Sequence, residues 1–273
     1  MSELRIAFQG ERGAYGEQAT RALYGPGVEA VPQPSFRSVF EAVKAGHVHG
    51  GVVPVENSLA GSVTENVDLL LEFSLPITGE LALPIRHCLL VPPGRTLAGL
   101  KRALSHPQAL AQCAAFLRQH GITPVAEADT AGSARRVAEL APPGTAAIAS
   151  RIAAELYGLE VLQEGIEDAP DNHTRFVAMG AVPSQPGSQS KTAVAFTLEN
   201  NPGVLHRVLG AFATRGLSVI RVESRPRRRP WEYVFCLDVE GSQEEPGMAA
   251  ALDEAALLCR SFRLLGSYRV SAY

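Results

Sequence analysis

The sequence predicts an α/β protein built in two parts, and three observations carry that prediction. Strand-like and helix-like segments alternate from residue 3 to about residue 180. The stretch Val182-Pro183-Ser184-Gln185-Pro186-Gly187-Ser188-Gln189-Ser190 then has the composition of a linker. Beyond it the order changes to strand, helix, strand, strand, helix, strand, with no internal repeat relating the two parts.

The first part opens on an alternating strand over residues 3–9. Gly10-Glu11-Arg12-Gly13-Ala14-Tyr15-Gly16 turns into a helix over 17–24. Ser35 is placed to cap a helix over 36–45 that buries Phe36, Val39, Phe40 and Val43. Val52-Val53-Pro54-Val55 reads as a strand ending at Glu56-Asn57-Ser58, and Val67, Leu70 and Leu71 define a helix over 63–73. Strand character returns at 80–91. Ser105-His106-Pro107 opens a helix that runs to Gly121, with proline in its first turn and glycine past its end. Strand 122–127, helix 131–140, strand 145–149 and helix 151–157 follow, with Gly158 as C-cap. A strand over 174–179 closes the part, and the alternation predicts a mostly parallel sheet.

In the second part, 191–199 is a strand with Ala193, Ala195 and Thr197 alternating. Asn201-Pro202 caps and starts a helix whose apolar face is Val204, Leu205, Val208, Leu209 and Phe212, ended by Gly216. Strands over 217–226 and 231–240, a helix over 244–260 and a strand over 262–271 complete the ferredoxin-like βαββαβ plan.

The bulk numbers exclude several functions. The 273 residues carry a net charge of −3, with 46% hydrophobic and 19% charged residues. That provides a real core and no bulk attraction to nucleic acid or anionic membrane. No apolar run approaches the roughly 20 residues of a membrane helix. The start, Met1-Ser2-Glu3-Leu4-Arg5, lacks the basic head and apolar core of a signal peptide, which points to the cytoplasm. Cys88, Cys113, Cys236 and Cys259 have neither zinc nor disulfide spacing and read as buried thiols. Lys44, Lys101 and Lys191, the only lysines, offer no evident Schiff-base candidate.

Several short motifs fall where strands give way to helices, the end at which open α/β sheets bind ligands. Gly10, Gly13 and Gly16 give G-x-x-G-x-x-G and not the dinucleotide spacing. They make either a tight turn or a cradle of backbone N–H groups for a carboxylate. Glu56-Asn57-Ser58 is either a turn or a site. Ser105 caps a helix or holds an anion, and Gln108 and Gln112 share a helix face. Asn172-His173-Thr174-Arg175-Phe176 enters a strand after an irregular loop, and nothing local orients His173 as a base. Glu223-Ser224-Arg225-Pro226 ends a strand and runs into Arg227-Arg228-Arg229, a basic run too narrow for nucleic acid with only Trp231 and Tyr233 nearby.

Together these motifs resemble the prephenate dehydratase family over essentially the whole chain. The matching segments are Gln9 to Tyr15, Val53 to Val63, Ser105 to Cys113, Asp129 to Ala134 and Asn172 to Phe176, with Thr174-Arg175-Phe176 the most distinctive. The second part resembles an ACT domain. Asn201-Pro202-Gly203-Val204-Leu205 and Glu223-Ser224-Arg225-Pro226 are similar to its two phenylalanine-binding motifs. The resemblance implies a two-lobed, periplasmic-binding-protein-like catalytic domain at 1–182, a linker at 183–190 and an ACT regulatory domain at 191–273. One lobe is expected at 1 to about 78 plus about 155–181, with the other between. It also implies a homodimer or homotetramer and a reaction with no cofactor or metal.

By the same resemblance, Thr174, Glu56, Asn57 and Gln112 are catalytic, with Thr174 donating to the leaving hydroxyl of prephenate and Glu56 feeding a proton relay. Ser58, Ser105, Arg175, Asn172 and Gly13 bind substrate. Gly203, Val204, Leu205, Glu223, Ser224, Arg225 and Pro226 bind L-phenylalanine as an inhibitory effector. Arg175 alternates with Thr174 along its strand, so it can point away from the substrate. Family members often carry Thr and Ser where this chain has Ala14 and Gly16, and a small residue at Val204. The same motifs fit arogenate dehydratase. A solute-binding protein or a non-catalytic amino-acid sensor are the alternatives from other classes.

Overall fold

The computed structural model describes residues 4–183, 189–227 and 231–271. Most of the linker, Ser184 to Ser188, and Arg228 and Arg229 of the basic run lie outside the described residues.

In the first lobe, β1 (Arg5–Gln9) leads to α1 (Tyr15–Tyr24), β2 (Glu29–Gln33) to α2 (Phe36–Lys44), and β3 (Gly50–Asn57) through the short β4 (Gly61–Ser62) to α3 (Thr64–Phe73) and β5 (Ile77–Pro84). The chain then crosses into a second lobe of β6 (Cys88–Val91), β7 (Arg102–Ser105), α4 (Pro107–Gln112), α5 (Ala114–Gln119), β8 (Thr123–Ala126), α6 (Thr130–Leu140), β9 (Thr145–Ala149), α7 (Arg151–Tyr157) and β10 (Glu160–Glu164). It returns as β11 (His173–Gly180) between β3 and β5. The C-terminal part is β12 (Gln189–Thr197), α8 (Val204–Ala213), β13 (Val219–Pro226), β14 (Tyr233–Glu240), α9 (Pro246–Leu258) and β15 (Ser261–Ser271), the expected βαββαβ order.

Local chemistry accounts for most element ends. Ser35 and Ser38 form a reciprocal capping box on α2. Gly158 takes the left-handed conformation past α7, φ 67°, as expected of a C-cap. The helix expected from Pro107 to Gly121 is instead broken at Cys113, because the returning chain intrudes. Asp168 N–H donates to the Gln112 carbonyl at 2.7 Å, and the Asp168 carboxylate accepts from Ala115 N–H at 3.1 Å. Gly203, with φ 77° and no side-chain cap, precedes α8 in place of an Asn201 cap. Strands β2 and β10 were not expected. Both are short, and neither alternates in burial.

The second-lobe sheet has the order β10-β6-β9-β7-β8, and the first-lobe order is β2-β1-β3-β11-β5. Both are mixed and not mostly parallel, because β11 runs antiparallel to β3 and β5, and β6 runs antiparallel to β9 and β10. The lobes also divide later than expected. Ile77–Pro84 pairs with β11 in the first lobe, whereas Glu160–Glu164 pairs with β6 in the second. The two crossing segments are therefore 85–87 and 165–172, and they bond to each other: Ile85 N–H donates to Asn172 O at 2.8 Å and Gly165 N–H to His87 O at 3.0 Å.

The C-terminal sheet joins the first-lobe sheet edge to edge through β15 and β5, giving one ten-stranded sheet. α8 and α9 cover one of its faces around Phe196, Phe212, Leu237 and Met248. The opposite face places Ala193, Ala195, Cys236, Leu265 and Tyr268 in the core that holds Val67 and Leu70 of α3. Among the described residues no helix is long and apolar enough to cross a membrane.

Candidate active site

Between the lobes lies a cleft of about 330 Å³, near the lower end of the roughly 300–1,000 Å³ of small-molecule sites. Because strands feed helices at their C-terminal ends, several helix starts converge on it. Ala14, Tyr15 and Gly16 line it from α1, Phe36 from α2, Val63 from α3, His106 and Gln108 from α4, and Asp129 and Thr130 from α6. Helix N-termini present backbone N–H groups and partial positive charge. The first turn of α1 has no side-chain cap. Among the described residues no lysine or arginine lines the cleft, so these helix starts are its electropositive elements. Val52, Pro54, Ile85 and Phe176 add apolar walls.

The best-defined polar group is a pair on neighbouring strands. Thr174 and Asn57 oppose each other across β11 and β3. Leu59 N–H and Ala60 N–H donate to Asn57 Oδ1 at 3.2 and 3.0 Å, which fixes the orientation of the amide. Nδ2 of Asn57 therefore faces Thr174 and donates to its Oγ1 at 3.0 Å, and also to Asn172 Oδ1 at 2.8 Å. With its oxygen already accepting, the Thr174 hydroxyl keeps its own hydrogen for the cleft.

A β-bulge brings this pair together. Arg175 opposes Glu56 but Phe176 opposes Pro54, so Val55 is the extra residue in β3. Simple alternation would place Glu56 in phase with Pro54 and Val52 on the cleft face. The bulge reverses the phase, and Asn57 takes that face.

A second group spans the lobes. His87 lies on the first crossing segment and is 2% exposed. Its Nε2 is 2.9 Å from Gln112 Oε1 and its Nδ1 is 3.1 Å from the Tyr15 hydroxyl, which also donates to Arg86 O at 2.7 Å. Burial lowers the His87 pKa, only partly offset by Gln112 and Glu167, so the ring is neutral. The neutral ring has one N–H for its two partners, Gln112 and Tyr15, and bridges the lobes between them. Burial likewise raises the Tyr15 phenol well above its usual range.

Of the residues expected to act or bind at the catalytic site, Asn57, Gln112 and Thr174 line the cleft. The structure places the others elsewhere. Asn172 is buried behind Asn57 and 1% exposed. Ser58 donates to Asp171 O at 3.0 Å and accepts from His173 N–H at 2.9 Å, tying the returning chain to β3. The Ser105 hydroxyl is buried and donates to Ile148 O at 2.6 Å. Gly13 is a packing site: its N–H donates to Glu17 at 2.8 Å, and an added Cβ would come within 2.9 Å of Ala153 Cα.

Glu56 and Arg175 lie on the far face of the sheet, against the C-terminal part. Arg175 Nη1 is 2.7 Å from Asp238 Oδ2 and 3.4 Å from Glu80, and its Nε is 3.5 Å from Glu56. Glu56 has no contact with Thr174 that could form a relay; its ion pairs run to Arg175 and Arg221. His87 was not singled out from the sequence, since it belongs to none of the motifs there.

The two expected effector motifs separate. Gly203, Val204 and Leu205 line an open hollow of about 420 Å³, together with Trp231, Tyr233, Phe235 and Arg260. Glu223 and Arg225 face the first lobe, where Ser62 Oγ donates to Glu223 at 2.8 Å and Arg225 pairs with Asp68 at 2.8 Å.

Comparison with known proteins places this geometry in context. A family model described as prephenate dehydratase matches residues 6–184, and one described as ACT domain matches residues 192–256. The chain is 42% identical to arogenate dehydratase/prephenate dehydratase 2, chloroplastic, of Arabidopsis thaliana, over 98% of this chain and 74% of that protein. It is 40% identical to a bifunctional N-acyl-homoserine lactone acylase/prephenate dehydratase of Komagataeibacter europaeus, over 98% and 96% of the two chains. The crystal structure of prephenate dehydratase in complex with L-Phe from Arthrobacter aurescens superposes with a TM-score of 0.86 at 33% identity, over 97% of this chain and 90% of that one.

Proposed function

Because this chain belongs to the prephenate dehydratase family and carries an ACT domain after its catalytic part, we propose that its cleft converts prephenate to phenylpyruvate, with Thr174 assisting the leaving hydroxyl. Family membership makes the protein a dehydratase-type lyase. The observation that carries the assignment of roles is the Asn57–Thr174 pair, whose geometry leaves one hydroxyl hydrogen for the cleft.

Prephenate is a cyclohexadienol with a ring carboxylate and a pyruvyl side chain. The bond from the ring to its carboxylate breaks, its electrons enter the ring, and the carbon–oxygen bond on the opposite ring carbon breaks. The carboxylate leaves as carbon dioxide, and the hydroxyl takes a proton and leaves as water. Aromatisation supplies much of the driving force, so the protein has to orient the substrate and stabilise the leaving oxygen. Thr174 donates to that oxygen, and Asn57 holds Thr174 in place. Gln112 and the first-turn N–H groups of α1 receive the carboxylates, with Ala14 and Gly16 presenting backbone. Apolar walls favour a carboxylate that is losing its charge.

In the C-terminal domain, the hollow beside Gly203 to Leu205 has an aromatic lining, and Arg260 lies 3.8 Å from Glu199 and 3.9 Å from Glu232. Aromatic surface beside groups of both charges suits a free aromatic amino acid, and L-phenylalanine is the effector we assign there, acting as feedback inhibitor. β13 is a sheet edge with Ile220 and Val222 exposed, a surface suited to a second copy. The protein is accordingly a homodimer or homotetramer, which brings Glu223 to Pro226 of one copy towards the hollow of the other. The free cysteines, three of them buried, accord with a cytoplasmic location.

The test is phenylpyruvate formation from prephenate by purified protein, with arogenate assayed in parallel. Turnover of arogenate alone would assign the aminated substrate, and turnover of neither would overturn the reading.

A further inference from the structure

A cluster of ionised groups, buried where the first lobe meets the C-terminal domain, has no part in the chemistry above. Asp238 on β14 is 4% exposed and pairs with Arg175 at 2.7 Å and with Arg221 at 3.5 Å. Arg221 also bonds Glu223 and reaches Glu56 at 3.9 Å. Glu80 on β5 is 2% exposed, bonds Lys191 and accepts from the Tyr268 hydroxyl at 3.2 Å. Burying so many charges is costly, and removing one partner leaves another uncompensated. Such a cluster is poorly tolerant of sliding between the two parts.

Its position in the ladder gives it a consequence for catalysis. Arg175 opposes Glu56 on β11 and β3, and the next rung is Thr174 opposite Asn57. One rung faces the C-terminal domain and its neighbour faces the cleft. Val55 bulges β3 directly opposite this stretch of β11, so a change in the direction of Arg175 turns the adjacent Thr174 peptide. At its other end the cluster contains Glu223, the first residue of the second effector motif.

We propose that Arg175 is a positioning residue, not a substrate ligand: its pairing with Asp238 holds Thr174 against Asn57, and Arg221 and Glu223 connect that pairing to the effector region of the C-terminal domain. The coupling half of this inference rests on the effector assignment above. The positioning half rests only on the dehydratase activity. Binding of the effector shifts β13, redistributes Arg221 between Glu223 and Asp238, and thereby loosens or tightens Arg175. Each state of the cluster gives the effector a different affinity, the condition for allosteric coupling.

The experiment uses the full chain with Asp238→Asn, Arg175→Lys and the double variant. Kinetics are measured on prephenate with and without L-phenylalanine, and effector binding is measured by calorimetry. Asp238→Asn is expected to lower kcat about two- to thirtyfold with KM little changed, and to weaken inhibition although phenylalanine still binds. Arg175→Lys keeps the charge and is expected to retain more activity than Arg175→Gln. The losses should be non-additive in the double variant. Glu223→Gln, which lies at the edge of the cluster, is expected to lower kcat less than Asp238→Asn does and to weaken inhibition although phenylalanine still binds, and serves if Asp238→Asn does not fold. A folded Asp238→Asn protein with wild-type kcat and wild-type inhibition overturns the proposal. So does Arg175→Lys acting on KM alone, which marks a substrate ligand. If Asp238→Asn is unfolded, wild-type inhibition in Glu223→Gln overturns the coupling, and additive losses for Arg175→Lys and Glu223→Gln overturn the shared network. Wild-type protein inert towards prephenate would instead fail the functional reading, and wild-type protein that binds no phenylalanine would fail the effector assignment.

Discussion

Asn57 Nδ2 lies 3.0 Å from Thr174 Oγ1, and the Asn57 amide can point only one way because Leu59 and Ala60 N–H groups occupy its oxygen. The donor and acceptor roles in the pair are thus settled by backbone groups outside it. Asn57→Asp tests this directly. A carboxylate still accepts from Leu59 and Ala60 but cannot donate to Thr174, so it captures the threonine hydrogen instead. We expect kcat to fall about 10²-fold or more, and the unfolding midpoint to fall too, because the new carboxylate oxygen faces Asn172 Oδ1 and the His173 carbonyl. The Ala variant leaves buried N–H groups unpaired and costs about 1–3 kcal/mol. Steady-state kinetics and thermal unfolding of both variants check the pair.

Gly13 separates packing from binding. Its φ of 86° favours glycine, and a Cβ would meet Ala153 of the opposite lobe. Gly13→Ala is expected to destabilise the fold by about 1–3 kcal/mol, read as a lower unfolding midpoint. A KM that rises in a variant of unchanged stability would return Gly13 to the substrate site.

His87 predicts how stability depends on pH. Burial lowers its pKa in the folded state below the ordinary value of 6.5. Below pH 6.5 the unfolded chain binds a proton that the folded chain does not. The His87 contribution is therefore full above 6.5 and is lost as pH falls towards the folded value. Unfolding midpoints measured from pH 8 down to pH 5 should decline, and His87→Gln should flatten that decline. An equal slope in both proteins would remove His87 as its source.

The effector hollow makes its own prediction. Arg260→Ala is expected to weaken L-phenylalanine binding about tenfold or more, the scale of a lost bond to a charged group, without lowering uninhibited kcat. Titration calorimetry reads the first quantity and the prephenate assay the second. Unchanged affinity would place the effector elsewhere.

Much of this was legible in the sequence because local chemistry decides it. The Ser35 cap, the Gly158 stop and the βαββαβ order are written in neighbouring residues. What was not legible depends on residues far apart. The bulge at Val55 exists only when β3 pairs with β11; without it, simple alternation along β3 would put Glu56 on the cleft face that Asn57 takes. The alternation of Thr174 and Arg175 was visible, but the partner that draws Arg175 away is Asp238, 63 residues later. His87 carries no local signal, and its role follows from Tyr15 and Gln112 arriving from opposite lobes. The break at Cys113 likewise needs Asp168 from the returning chain.

The central claim is that the Thr174 hydroxyl serves the leaving group in this cleft. The most direct measurement is kcat for phenylpyruvate formation at saturating prephenate by the wild-type, Thr174→Ser and Thr174→Ala proteins. We expect measurable turnover by the wild type, retained but reduced turnover by the serine variant, and a loss of roughly 10²–10⁴-fold in the alanine variant. A folded Thr174→Ala protein with wild-type kcat would contradict the account.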